Sequence, residues 1–413
     1  MLACSWEGIH KLRSRQIAPT VLRAVNSRTG CEPRTLGHRS GHCDLPLALS
    51  TNEGVNTMRA KTRDRFLNLA TKRPVTILLV RPDGIGDEIL CLPVATALRR
   101  CLPKARILFL SSQNAAPILD QHPDIDEILT ITGQEPLGEL VALFRGGIDA
   151  AVFLKPFRRL MAAAFVARVP IRVATGYRWY SFLANSRVYQ HRHDFSKHES
   201  EYNLHLLTGL GLDPGPVTRP LLVLSPGERA WSQTRLAGLP KFTVVVHPGG
   251  LSARRWQPQR YWNLAKRLVS DGYGVIFTGS QSERDLFKIE CGSPQDLGTG
   301  VLDLMGQVTV RELMAVIGNS HVVVSGATGP AHIAAALGVS TVSIYDPRRN
   351  NHPIRWKPLG KGLVVLPDVP VCEKCIGEAC PYWDCLDRIT VDDVMMLVAQ
   401  IVKEPKLFKV VHL

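Results

Sequence analysis

Residues 323–338 constrain the fold more than any other stretch of the chain. Val323 and Val324 end an apolar run. Ser325-Gly326-Ala327-Thr328-Gly329-Pro330 follow as a turn, and Ala331-His332-Ile333-Ala334-Ala335-Ala336-Leu337-Gly338 read as a small-residue helix. Strand, glycine turn and helix in that order are the repeating unit of a parallel sheet with crossover helices, and the alanines let the helix sit close to the sheet. A helix's first turn has unsatisfied N–H donors and the positive end of the helix dipole, so an anion is stabilised there. Thr328 adds a hydroxyl and His332 an imidazole, which completes the outline of a phosphate site. The plainer reading is a strand-to-helix turn of any α/β protein.

The same alternation occurs twice. In the first half, 75–80, 105–110, 148–154 and 171–174 read as strands and 89–100 as a helix. The segment 213–240 carries Pro214, Pro216, Pro220, Pro226 and Pro240 with several glycines, and reads as a linker. The alternation then restarts. Strands are expected over 242–246, 274–278, 321–324 and 340–345, and helices over 259–271, 281–291, 310–318 and 331–337. Two open sheets of this kind face each other across a cleft and bind ligands at the carboxyl ends of their strands. Residues 1–57 are Arg/Ser/Gly/His-rich with little periodicity. They are expected to be a disordered extension, or to precede a true start at Met58. The expected organisation is a Rossmann-like acceptor domain over 74–223, a linker over 224–240 and a Rossmann-like donor domain over 241–403.

At 413 residues the chain has room for two or three domains. No apolar run approaches the roughly 20 residues of a membrane span. The formal charge of +14 favours anionic partners: nucleic acid, anionic lipid head groups or phosphorylated substrates. The ten cysteines are mostly scattered singly in a long chain, unlike a secreted disulfide framework, and point to a reducing cytosol.

Four motifs carry chemistry. Arg81-Pro82-Asp83-Gly84-Ile85-Gly86-Asp87-Glu88 follows the first strand directly. Gly84 and Gly86 permit a tight turn and a close ligand, and with Lys155 they make the candidate acceptor or phosphate loop. Asp87 reads either as a general base for a hydroxyl or as a helix N-cap. His247-Pro248-Gly249-Gly250 precedes Arg254-Arg255-Trp256, where an arginine can grip a phosphate with two bonds; the alternative is a solvated basic loop. In Thr278-Gly279-Ser280-Gln281-Ser282-Glu283, Glu283 can accept from a ribose hydroxyl or simply complement the helix dipole. Cys372, Cys375, Cys380 and Cys385 can hold zinc tetrahedrally. Their spacing is irregular beside two CxxC knuckles, which favours thiols without metal.

In this order the motifs resemble glycosyltransferase family 9, the lipopolysaccharide heptosyltransferases, from about Thr76 to about Lys403. The likeness rests on Ile77-Leu78-Leu79-Val80-Arg81 with Gly86-Asp87, Leu92-Pro93, and His198 with Tyr202 and Leu204. It continues through His247-Pro248-Gly249, Gly279-Ser280 with Glu283, Thr328-Gly329-Pro330 with His332, and Cys385-Leu386 with Ile389. The resemblance implies a GT-B fold and an inverting, metal-independent sugar transfer from a nucleotide diphosphate-sugar, typically ADP-heptose, with no cofactor. It implies Asp87 as the base, and Thr328, Gly329, Pro330 and His332 at the diphosphate. Arg254 stands where members usually have a lysine, and Glu283 falls at the ribose. The implied acceptor is a phosphorylated glycolipid or glycan, met in the cytoplasm or at the inner membrane surface. Ala327 replaces a frequent aspartate, and Gln257 separates Trp256 from Pro258. Two rivals are a nucleotide-sugar epimerase of the same architecture and a basic nucleic-acid-binding protein. The latter needs exposed aromatics among its basic residues, and aromatics make up only 7% of the chain, so no nucleic acid is expected.

Overall fold

A computed structural model describes residues 57–250, 254–404 and 407–413. The extension expected over 1–57 lies outside them, apart from its last residue.

The first sheet contains β1 (Thr76–Val80), β2 (Arg106–Ser112), β3 (Glu127–Ile131), β4 (Ala150–Phe153), β5 (Ile171–Thr175) and β6 (Ser186–Val188) in the order β3-β2-β1-β4-β5-β6. Every pairing is parallel. Its helices include α1 (Thr57–Lys72), α2 (Ile85–Ile89), α3 (Leu92–Cys101), α4 (Leu137–Phe144), α5 (Arg158–Val166) and α6 (Glu199–His205). The single helix expected over 89–100 is two: Pro93 enters α3 near its first position, where a missing N–H costs nothing, and the chain turns at Leu90-Cys91. Phe66 on α1 is fully buried, so the core of this half begins before residue 74.

The segment expected to be a linker holds a helix, α7 (Pro226–Arg235), started by a reciprocal capping box between Ser225 and Glu228. The prolines there mark boundaries, with Pro226 seated in the first turn.

The second half contains α8 (Pro258–Ser270), α9 (Gln281–Cys291), α10 (Val310–Gly318), α11 (Gly329–Leu337), α12 (Pro353–Trp356) and α13 (Val391–Lys403). Its strands are β7 (Thr243–His247), β8 (Gly274–Phe277), β9 (Val301–Asp303), β10 (Val322–Gly326), β11 (Ser340–Ile344), β12 (Gly362–Leu366) and β13 (Phe408–His412), ordered β13-β12-β11-β10-β7-β8-β9. The sheet runs past residue 403, because β13 pairs with β12 from Phe408 to His412.

Both sheets repeat the doubly wound order. Its direction reverses between β1 and β4 and again between β7 and β10, which are the switch points where open α/β sheets bind ligands. The centres of both sheets are dry: Ile77, Leu79, Val245, Val323 and Ile333 belong to one continuous apolar cluster spanning both halves. Arg311 on α10 ties the halves together. It forms a two-pronged ion pair with Glu228 and donates to the carbonyls of Val223 and Pro117.

Candidate functional site

The 81–88 turn leaves β1 at the first switch point. Glu88, fully buried, shapes it by accepting the backbone N–H groups of Asp83 (3.2 Å) and Ser112 (3.0 Å) and the Ser111 hydroxyl (2.5 Å). Burial pushes its carboxyl up to about 7. Arg81, also buried, reaches three carboxylates: Asp87 Oδ1, Glu199 Oε1 at 3.1 Å and Asp83 Oδ2 at 3.4 Å from Nε. Lys155, after β4, pairs with Asp83 at 2.6 Å.

The N-cap of α2 is Gly84, with no side-chain cap bond. Asp87 sits two residues into that helix and is not its cap. Its side chain is about one-third exposed, and Oδ2 carries no hydrogen bond among the described residues. Burial raises its pKa above the ordinary carboxylate value, against the pull of Arg81. A partly exposed carboxylate oriented through one oxygen and open at the other is suited to take a proton.

The second switch point carries the 327–332 turn. Thr328 is the N-cap of α11 in extended backbone, but its hydroxyl leans on the Gly326 carbonyl at 3.4 Å and does not cap the helix. His332 is buried, and its Nδ1 has no hydrogen-bond partner. Burial, reinforced by His198, drives its pKa down to about 3. His332 is therefore a neutral imidazole at physiological pH, and any phosphate contact it makes is that of a hydrogen-bonding group without charge.

These two turns touch. A Cβ on Gly86 would lie 2.8 Å from His332 Cδ2, and one on Gly329 would lie 3.3 Å from Ile85 Cβ. The glycines let the entry of α11 rest on that of α2. A Cβ on Gly250 would lie 2.9 Å from Thr328 Cγ2, so the 247–250 turn closes over the same point.

Glu283 is committed to this architecture. Oε1 accepts the Gly250 N–H at 2.9 Å, while Oε2 accepts the Ser280 N–H and hydroxyl at 2.8 and 2.9 Å in the capping box of α9. One acceptor position on Oε1 is left for a further donor. The Arg254 guanidinium stacks 4.9 Å over Trp383, with Nη1 3.8 Å from Cys385 Sγ. Arg255 is exposed, and its Cγ and Cδ lie 3.9 Å from the Gly250 Cβ position.

Glu199 is the residue sequence reasoning missed. It accepts from Arg81, from Arg192 (2.7 Å) and from Arg355 of α12 (2.9 Å twice), so one buried carboxylate joins three arginines from both halves. Those arginines hold its pKa below the usual range despite burial. Beside it, His198 Nδ1 accepts the Ser200 N–H at 3.2 Å, so Nε2 carries the proton donated to the Lys357 carbonyl at 2.9 Å. Position gave the one sequence signal: Glu199 adjoins His198.

Cys385 is buried, Cys372 and Cys380 are half-buried, and Cys375 is exposed. Among the described residues no three His, Cys, Asp or Glu side chains converge on a metal position. Among the described residues, too, no helix is long and apolar enough to cross a membrane.

Two doubly wound parallel sheets, with glycine turns meeting at both switch points, make up the GT-B architecture. A sequence model of glycosyltransferase family 9 (heptosyltransferase) matches residues 149–384, and the chain belongs to that family. Lipopolysaccharide heptosyltransferase 3 of Escherichia coli is 26% identical over 311 residues, 68% of this chain and 85% of the relative. Lipooligosaccharide heptosyltransferase 2 of Haemophilus influenzae is 24% identical over 302 residues, 66% of this chain and 84% of the relative. Two solved structures share the fold. A family 9 glycosyltransferase from Veillonella parvula has TM-score 0.68 at 18% identity, covering 80% of this chain and 97% of its own. E. coli ADP-heptose lps heptosyltransferase II has TM-score 0.68 at 21% identity, covering 81% and 100%.

Proposed function

We propose that this glycosyltransferase moves a heptose from ADP-heptose to a phosphorylated lipopolysaccharide-core acceptor, with inversion at the anomeric carbon and without a metal. The observation that carries the reading is Asp87. Its Oδ1 is held by Arg81, its Oδ2 is open, and its helix lies against the entry of α11. Asp87 Oδ2 takes the proton of the acceptor hydroxyl as that oxygen attacks the anomeric carbon from the face opposite the diphosphate. One in-line displacement inverts the centre. Charge grows on the departing β-phosphate, where the N–H groups of the first turn of α11 and a basic side chain of the 254–255 pair neutralise it. His332 contributes a neutral hydrogen bond. Glu283 fixes Gly250 and receives a ribose hydroxyl on the free side of Oε1. Lys155 and the 83–86 turn meet the acceptor or its phosphate. The heptose, the nucleotide and the acceptor are supported by the names of the relatives, and the overall charge of +14 suits a phosphorylated glycolipid met from the cytoplasm at the inner membrane.

The test is mass spectrometry after incubating the full chain with ADP-heptose and a heptose-deficient lipopolysaccharide core, with chelator present. The expected result is an acceptor heavier by one heptose and an equal amount of ADP. An isomerised sugar nucleotide formed without acceptor would move the protein to the epimerases.

A further inference from the structure

The first half carries an apolar surface that the transfer chemistry does not use. On α5, Ala162, Phe165 and Val166 lie on one face, three to four residues apart, and Arg158 stands one turn before them. The turn at 179–183 packs along that face. Trp179 is 74% exposed and Phe182 60%, and Phe165, Val166 and Leu137 are each about half exposed. A cavity of about 370 Å³ opens between the helix and the turn, lined by Leu137, Arg158, Ala162, Trp179 and Phe182. Large aromatics left this exposed and grouped mark an interaction surface.

The rim is basic. Arg158 lies 6.0 Å over the Trp179 ring, and Arg159, Arg168 and Arg178 are exposed. Arg159 donates to the carbonyls of Gly133 and Glu135, which leaves its charge unneutralised. The nearby Glu135 carboxylate turns back to accept the N–H groups of Thr132 and Gly133 and the Thr132 hydroxyl. A second cavity, about 260 Å³, runs from Arg158 and Arg159 to Pro82 and Ser112, so the patch connects with the turn that carries Asp87.

We propose that this face docks on an anionic bilayer, with Trp179 and Phe182 seated among the head groups and Arg158 and Arg178 on lipid phosphates. Charge complementarity selects this occupant. Indole and phenyl rings rimmed by guanidinium groups match the boundary between acyl chains and anionic head groups, where aromatic rings settle and basic side chains hold phosphate. Docking in this way would present the Asp87 side of the cleft to a membrane-anchored acceptor. That benefit rests on the glycolipid reading of the function; the surface itself does not.

The test is co-sedimentation of the full chain with phosphatidylethanolamine vesicles containing one-third phosphatidylglycerol, beside pure phosphatidylcholine vesicles. The wild type is expected in the pellet with the anionic vesicles only. Removing two surface arginines (Arg158→Gln with Arg178→Gln) should weaken vesicle binding by roughly 25-fold, from about fivefold per basic residue near such a surface. Trp179→Ser with Phe182→Ser should weaken it by about tenfold or more. ADP binding, followed by calorimetry, should be unchanged in both. Wild type that ignores anionic vesicles, or variants that pellet like wild type, would overturn the proposal. So would a dimer that the aromatic variant dissociates while vesicles remain unbound. Vesicle binding in a protein that binds no ADP would leave this surface standing and remove the donor reading instead.

Discussion

Replacing Gly86 by alanine tests whether the two halves meet as described. Its backbone is helical, so alanine brings no dihedral strain and in isolation favours the helix by about 1 kcal/mol. The obstacle is His332. The new methyl would stand 2.8 Å from Cδ2 and 3.4 Å from Nε2, against an optimal contact of about 3.5–4.0 Å. The ring is buried and part of α11, so relief requires α2 and α11 to separate. Overpacking of this kind costs about 1–3 kcal/mol. Gly86→Ala should therefore lower stability by up to about 2 kcal/mol once its helix preference is subtracted. In a His332→Ala background the wall is gone, and the same change should be neutral or stabilising by up to about 1 kcal/mol. The coupling of the two sites is then about 1–3 kcal/mol, measured by urea unfolding of the four proteins in the cycle. Gly329→Ala is a milder control, with 3.3 Å to Ile85 and a few tenths of an ångström to recover. Additive effects within about 0.5 kcal/mol would refute the contact.

Further outcomes follow from the buried charges. Glu199→Gln strands three arginines, and should cost about 3–5 kcal/mol in urea unfolding and slow transfer through the released Arg81. Glu88 has a folded pKa near 7, above its unfolded value, so it binds more protons when folded. Its contribution is full below about pH 4 and is lost as pH rises towards 7. Glu88→Gln should remove that decline, so unfolding at pH 8 should show a smaller loss than in wild type. Arg254→Ala removes the guanidinium that partly offsets the burial-raised Cys385 thiol, so that pKa should rise further, read from the pH at which maleimide labels Cys385. If Arg255 is the side chain at the phosphates, Arg255→Ala should weaken ADP more than AMP, and Arg254→Ala should not.

Much of the scaffold was legible in the sequence. The centres of the sheets are unbroken runs of buried aliphatic residues, as at 76–80, 243–247 and 322–326. Helices α9 and α10 begin where Ser280 and Thr309 each find a glutamate three residues on, a capping box that local sequence displays directly. Edge strands were not legible. β3, β9 and β13 are three to five residues long and largely uncovered, so no apolar run marks them. The site divides likewise. The glycine turns and Asp87 were visible as local motifs, whereas Glu199, Arg192 and Arg355 meet only through tertiary packing. Nor does sequence show that His332 is neutral or that Arg254 stacks on Trp383, because burial and ring neighbours decide both.

The central claim is that Asp87 is the base of a transfer whose donor lies at the entry of α11. It is tested most directly by measuring turnover and ADP affinity together in Asp87→Asn. The amide keeps a carbonyl oxygen for Arg81, which retains Glu199 and Asp83, so fold and ADP binding should persist. Turnover should fall by about 10²–10⁴-fold, the usual worth of a general base. In the wild type, kcat/KM should decline as pH falls through a pKa above the ordinary carboxylate value. Near-normal turnover in Asp87→Asn, with ADP bound as tightly as before, would contradict the account.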